Sequence, residues 1–153
     1  MLLKKLVNQF IFLSLKKKSS MQSKTEKISL LTDMIAFALI DGKLHDKEYQ
    51  FIGLVAQELN LEKAELNQLF HQEHHSKIIK NEFERIQHFY RLALLMFCDG
   101  LLHDREQIKI HEIGLQMGLS PFAIKRVLKA MKESPTHMVS PQFLLEVFNE
   151  QLN

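Results

Sequence analysis

The sequence predicts an all-α protein, a compact bundle of seven to eight helices built on a duplicated unit. Three observations carry that expectation. Leu, Ile, Phe, Met, Glu, Lys and Gln dominate the 153 residues, with five glycines, three prolines and no period-two β-branched runs. Apolar positions recur at helical spacing along nearly the whole chain. Residues 34–70, moved forward by one constant step, fall on 92–128 without a gap. The identical pairs are Asp41/Asp99, Gly42/Gly100, Leu44/Leu102, His45/His103, Asp46/Asp104, Glu48/Glu106, Ile52/Ile110 and Leu61/Leu119. Such a repeat predicts two similar substructures packed together, each presenting an acidic turn.

Composition bounds the class. Apolar residues at 46% and charged residues at 25% are ordinary for a soluble globular protein, and the length suits one core. The single cysteine, Cys98, excludes an intrachain disulfide framework and a multi-cysteine zinc cage. It lies on an apolar segment and reads as a buried, inert thiol, consistent with a reducing cytoplasm. The net charge of +2 hides a division. Residues 1–27 carry seven lysines against Glu26 alone, whereas the rest carries thirteen basic and seventeen acidic side chains. The basic excess belongs to the leader, so the isoelectric point supports no nucleic-acid binding.

In chain order, residues 1–24 form a basic amphipathic helix and linker, and 25–153 the helical domain. Leu3, Leu6, Val7, Phe10 and Leu13 share one face of the leader, with Lys4, Lys5, Asn8 and Gln9 opposite. The stretch is too short to span a bilayer, and Lys16-Lys17-Lys18 follows where a signal peptide would place a cleavage site. Two readings stay open for residues 1–18: a helix docked on the body, or peripheral membrane contact through basic flanks. A helix over 27–40 follows, on Leu31, Ile35, Ala38 and Leu39. The next covers 46–59 on Phe51, Ile52, Val55 and Leu59, with Asn60 as a left-handed cap. A third covers 62–74 through Leu66, Leu69 and Phe70. The second copy opens with a long helix over 78–98, then helices at 104–117 and 120–132. Ser120-Pro121 and Ser140-Pro141 are start signals, the latter for a last helix on Phe143, Leu144, Val147 and Phe148.

The duplicated turn carries the candidate chemistry. Gly42 and Gly100 suit a left-handed helix end, and Glu48 and Glu106 stand at capping-box spacing from His45 and His103. Asp46 and Asp104 fall in a first turn, where the helix dipole favours anions. A structural connection explains most of this. Asp41 and Asp99 resist it, because a carboxylate at a helix C-terminus is disfavoured by about 0.3–1 kcal/mol. An Asx-type bond, a basic neighbour or a cation would compensate. Both capping and metal binding therefore stay open. If a cation binds, Asp41 and Glu48 converge across the turn with Asp46 nearby, as do Asp99, Glu106 and Asp104 in the second copy. Carboxylates suit calcium, magnesium or manganese; an inward His45 or His103 brings in zinc or manganese. Glycine directly after the first aspartate rules out an EF-hand.

The Asp-Gly-x-Leu-x-x-x-Glu turn, repeated between apolar helices over residues 28–132, resembles the TerB-like tellurite-resistance family and the related DjlA-type co-chaperone domain. That resemblance implies one TerB-like helical domain with internal pseudo-twofold symmetry. It also implies a metal-binding role for Asp41, Glu48, Asp99 and Glu106 in bacterial stress-response or membrane-associated complexes. Histidine stands where many relatives carry a small polar or acidic residue, which leaves the ion's identity open.

Other signals are weaker. His71 and His75 lie one helical turn apart and read as a solvated helix end. Lys125, Arg126, Lys129 and Lys132 form a basic face, read as solvated, with an acidic partner as the alternative. No phosphate loop, nucleophile elbow or Ser/His/Asp arrangement is present. The expectation is a non-enzymatic, cytoplasmic domain that binds a divalent cation and other proteins, with peripheral membrane contact through residues 1–18 as one of the two readings left open for the leader. The rival is a metal-free interaction or membrane-recruitment scaffold.

Overall fold

A computed structural model describes residues 4–5, 8–9, 23–40, 42–73 and 79–150. Among these residues Lys4, Lys5, Asn8 and Gln9 are helical, there is no strand, and seven further α-helices have described ends. They are α1 (Lys24–Ala38), α2 (Asp46–Glu58), α3 (Lys63–Leu69), α4 (Glu82–Phe97), α5 (Asp104–Gln116), α6 (Pro121–Glu133) and α7 (Pro141–Asn149). The amphipathic-leader reading falls outside the described residues, apart from Lys4, Lys5, Asn8 and Gln9. No helix among the described residues is long and apolar enough to cross a membrane.

Helix ends depart from the sequence expectation where polar chemistry cuts in. Ser23 caps α1 by accepting the Glu26 N–H at 3.2 Å, and Glu26 accepts the Ser23 N–H in return, so the helix begins before residue 27. Helix α3 ends at Leu69 rather than at 74, since its apolar stripe stops at Phe70. Asn81 accepts the Glu84 N–H at 3.1 Å and starts α4 after Ile78.

The chain divides into two units, 1–78 with Cys98–Leu101, and 79–97 with 102–153. In the first, α1 packs on α2 and α3, which also pack on each other. Leu31, Met34, Ile35, Phe51, Ile52 and Val55 are fully enclosed, each burial stabilising by about 1.5–3 kcal/mol. Lys27 donates through Nζ to the Leu59 carbonyl at 2.9 Å, placing a cation at the C-terminus of α2. Tyr49 and Phe70 stack in a tilted pair at 5.7 Å.

In the second unit, α5 packs on α4 and α6, and α6 on α7. Helix α4 is buried nearly all round, from Ile86 to Phe97. Burial lowers the Arg91 pKa to about 10, with Glu84 opposing the shift. A strap between α6 and α7 is pinned at two points. The Tyr90 hydroxyl donates to the Val139 carbonyl at 3.2 Å and accepts the Val139 N–H at 3.1 Å. His137, at φ 57°, stacks on Phe97 at 5.0 Å. Phe89 meets Phe148 edge to face at 6.2 Å, which seats α7.

Candidate functional site

Both turns have members in the first unit, because Cys98–Leu101 group with residues 1–78. In the first turn Gly42 takes φ 81° and donates its N–H to the Leu39 carbonyl at 2.9 Å, reversing the chain after α1. His45 is the N-cap of α2 with extended backbone, and its N–H donates to Glu48 Oε2 at 3.0 Å. The Glu48 half of the expected capping box is therefore formed. Glu48 is buried, as its spacing onto the inner face of α2 requires, and Asp46 stays exposed in the first turn.

The second turn solves its helix-end problem differently. Cys98 is buried and Gly100 takes φ 76°. Asp99 Oδ1 accepts the Leu101 N–H at 2.9 Å, an Asx-type turn. This bond is one of the three compensations a carboxylate at a helix C-terminus needs. Glu106 is fully buried on α5, Asp104 is exposed, and His103 is the N-cap of α5. Asp41 lies outside the described residues.

The sequence led us to expect a carboxylate pair converging within each copy. Asp41, one half of the first pair, lies outside the described residues; among the described residues the capping histidine of one copy approaches the aspartate of the other. His45 and Asp99 are both half-buried and offer ligand atoms within 4.8 Å of each other. None of Asp46, Glu48, Asp104 and Glu106 belongs to a cluster of three potential ligands among the described residues. Glu48 is engaged in capping, and the two first-turn aspartates face solvent. No sequence signal pairs His45 with Asp99, since helical period and spacing relate only neighbours along the chain. A mixed imidazole and carboxylate donor set suits zinc or manganese better than calcium, which prefers six to eight oxygens.

Compared with protein-family models, with curated proteins and with solved structures, the chain matches none.

Proposed function

We propose that this chain is a non-enzymatic, TerB-like helical module that holds a divalent cation at its duplicated turns and serves as a protein-interaction domain in a bacterial stress response. The observation that supports the reading is the approach of His45 to Asp99 within one unit. Zinc or manganese is the expected ion on this donor set. Glu48 and Glu106 then shape the turns from inside rather than bind the ion. An ion would fix the turn geometry and so set the surface offered to partners.

Titration calorimetry of chelator-stripped protein with zinc, manganese, magnesium and calcium tests this. Binding of zinc or manganese, weakened at least about tenfold in His45→Ala with Asp99→Asn, is expected. Absence of heat with all four ions overturns it. The Asx bond at Asp99 favours the second reading, a metal-free scaffold in which hydrogen bonds alone satisfy the turns. On that reading the same variants change thermal stability and no ion has any effect.

A further inference from the structure

The second unit carries a surface that the first copy of the repeat does not reproduce. An open cavity of about 890 Å³ lies along α6 and α5. Phe97, Leu102 and Leu128 give it an apolar floor, and the exposed Phe122 also lines it. Its titratable lining is basic throughout: His111, Lys125, Arg126, Lys129 and Lys132, with no Asp or Glu among the lining residues. Arg126 is ion-paired to Glu150, and Lys129 lies 3.8 Å from Glu133. Among the described residues no carboxylate is paired with Lys125 or Lys132. These two stand seven residues apart on α6, two turns or roughly 10 Å along the axis.

Helix α5 continues the surface. Ile108 and Leu115 are also seven residues apart, and both share a face with His111, which lines the cavity. Ile108 is 62% exposed, Leu115 52% and Phe122 69%. Three large exposed apolar side chains on packed neighbouring helices of one unit point to a binding surface more strongly than a single one does.

The duplication supplies an internal control. At the equivalent positions the first copy has Gln50 for Ile108, Gln57 for Leu115 and Ala64 for Phe122. It has Asn67 for Lys125 and Gln68 for Arg126. The first copy thus forms its helices without these side chains, of which, among the described residues, only Arg126 is tied to another element of its unit, through Glu150.

We infer that this groove of the second unit docks an acidic amphipathic helix from a partner protein. The argument is charge complementarity joined to spacing. A basic rail on α6 and an apolar rail on α5 each repeat every two turns, the interval at which an amphipathic helix repeats its own faces. Carboxylates seven residues apart meet Lys125 and Lys132, and the apolar face of the same helix covers Phe122 and the cavity floor. A small anion would leave the apolar floor uncovered. The lysine-rich segment at residues 1–27 of this chain has the wrong sign to occupy it. The docking names a partner surface for the proposed module and does not depend on the cation.

The test uses the full chain in chelator, so its outcome is separate from that of the ion titration. Fluorescence anisotropy follows a labelled synthetic amphipathic peptide of roughly four turns, with Glu every seventh position beside a Leu/Phe face. Micromolar binding, weakened about tenfold or more by Lys125→Glu with Lys132→Glu, is expected. Phe122→Ser weakens it with the salt dependence kept, and Asn67→Glu in the first copy leaves it unchanged. Circular dichroism confirms that these exposed-site variants fold. Equal binding of a scrambled peptide, or indifference to the Lys125/Lys132 pair, overturns the inference. So does Lys125-dependent sedimentation with phosphatidylglycerol vesicles in the absence of peptide binding, which assigns the groove to a membrane.

Discussion

In the first copy of the repeat the chain leaves α2 through Asn60 at φ 58°; in the second it leaves α5 through Gly118 at φ 74°. The bonds around these residues are the same. Leu61 N–H reaches the Ala56 carbonyl at 2.9 Å, and Leu119 N–H reaches the Gly114 carbonyl at 3.0 Å. The paired inner bonds, Asn60 to Gln57 and Gly118 to Leu115, match as well. Each end is a Schellman motif whose following leucine is buried. In the side chains of the same helices the copies part. Phe51 is fully enclosed, whereas its counterpart Lys109 is ion-paired to Glu112 at 3.1 Å near the surface. Ala56 faces the core in one copy and Gly114 in the other. The comparison teaches that backbone reversals keep their positive φ and their bonds while admitting either Asn or Gly, the residues that reach that region most cheaply, whereas helix faces are rewritten according to what packs on them.

The largest effect expected follows from the Phe51/Lys109 divergence. Phe51→Ala should cost about 3–5 kcal/mol in urea unfolding, since it empties an enclosed site. Lys109→Ala should fall within about 0.5 kcal/mol of wild type, since an exposed i,i+3 pair adds little. Similar losses at both positions would show that the copies have not diverged in packing as their burial suggests.

Next comes the Ala56/Gly114 pair. A Cβ on Gly114 would lie 2.5 Å from Ile124 Cδ1, 3.1 Å from its Cγ1 and 3.3 Å from Phe89 Cδ2. Ile124 and Phe89 are both fully buried, so neither side chain can swing away freely. Overpacking of about 1–3 kcal/mol should exceed the helix-propensity gain of roughly 1 kcal/mol. Gly114→Ala is therefore expected to lower the melting temperature despite adding a better helix former. The converse change, Ala56→Gly, should cost about 1–2 kcal/mol, through backbone entropy and the loss of one buried methyl. A stabilised Gly114→Ala protein would mean that α6 has room to move off α5.

These contrasts also explain what could be read without coordinates. The helices were legible because Leu31, Ile35, Ile52, Val55, Ile110 and Val127 keep helical spacing and prove buried. The Ser120 and Ser140 starts were legible because a hydroxyl before proline has one common use, and both accept an N–H three residues on. The site was only partly legible. Period and spacing relate neighbours along one helix; they say nothing about which turn faces which. Asp99 could thus be singled out as a misplaced charge, while its approach to His45 could not be foreseen. The basic face of α6 was visible, yet its reading as plain solvated surface lacked the cavity beside it and the exposed Phe122 at its start.

A smaller effect separates the two turns. Removing the Glu48 carboxylate leaves the His45 N–H without its acceptor, so Glu48→Ala should cost about 1–2 kcal/mol. Glu48→Gln retains an acceptor oxygen and should recover most of that loss. Equal damage from both variants would mean that the negative charge near the α2 N-terminus matters more than the cap. Thermal melts of the two proteins side by side decide this.

The smallest effect concerns an ion pair that only the first copy can form. Lys24 on α1 is paired with Glu65 on α3. The equivalent positions in the second copy are Glu82 and Ala123, which cannot pair. The contact raises the Lys24 pKa, chiefly through its hydrogen bond to Glu65, and lowers that of Glu65 through the same bond. A depressed carboxylate contributes stability above its unfolded pKa and loses it as pH falls through the folded value. A raised lysine contributes below its unfolded pKa and loses it as pH rises through the folded value. The pair is therefore complete near neutral pH and lost at both extremes. Both groups are open to water, so screening keeps the contribution slight. Lys24→Ala should trail wild type by a small melting-temperature margin near neutrality, and that margin should close at acid and alkaline pH and in about 1 M salt. A margin that survives salt would point instead to packing of the lysine stem against α3, a contact that neither Glu82 nor Ala123 could reproduce.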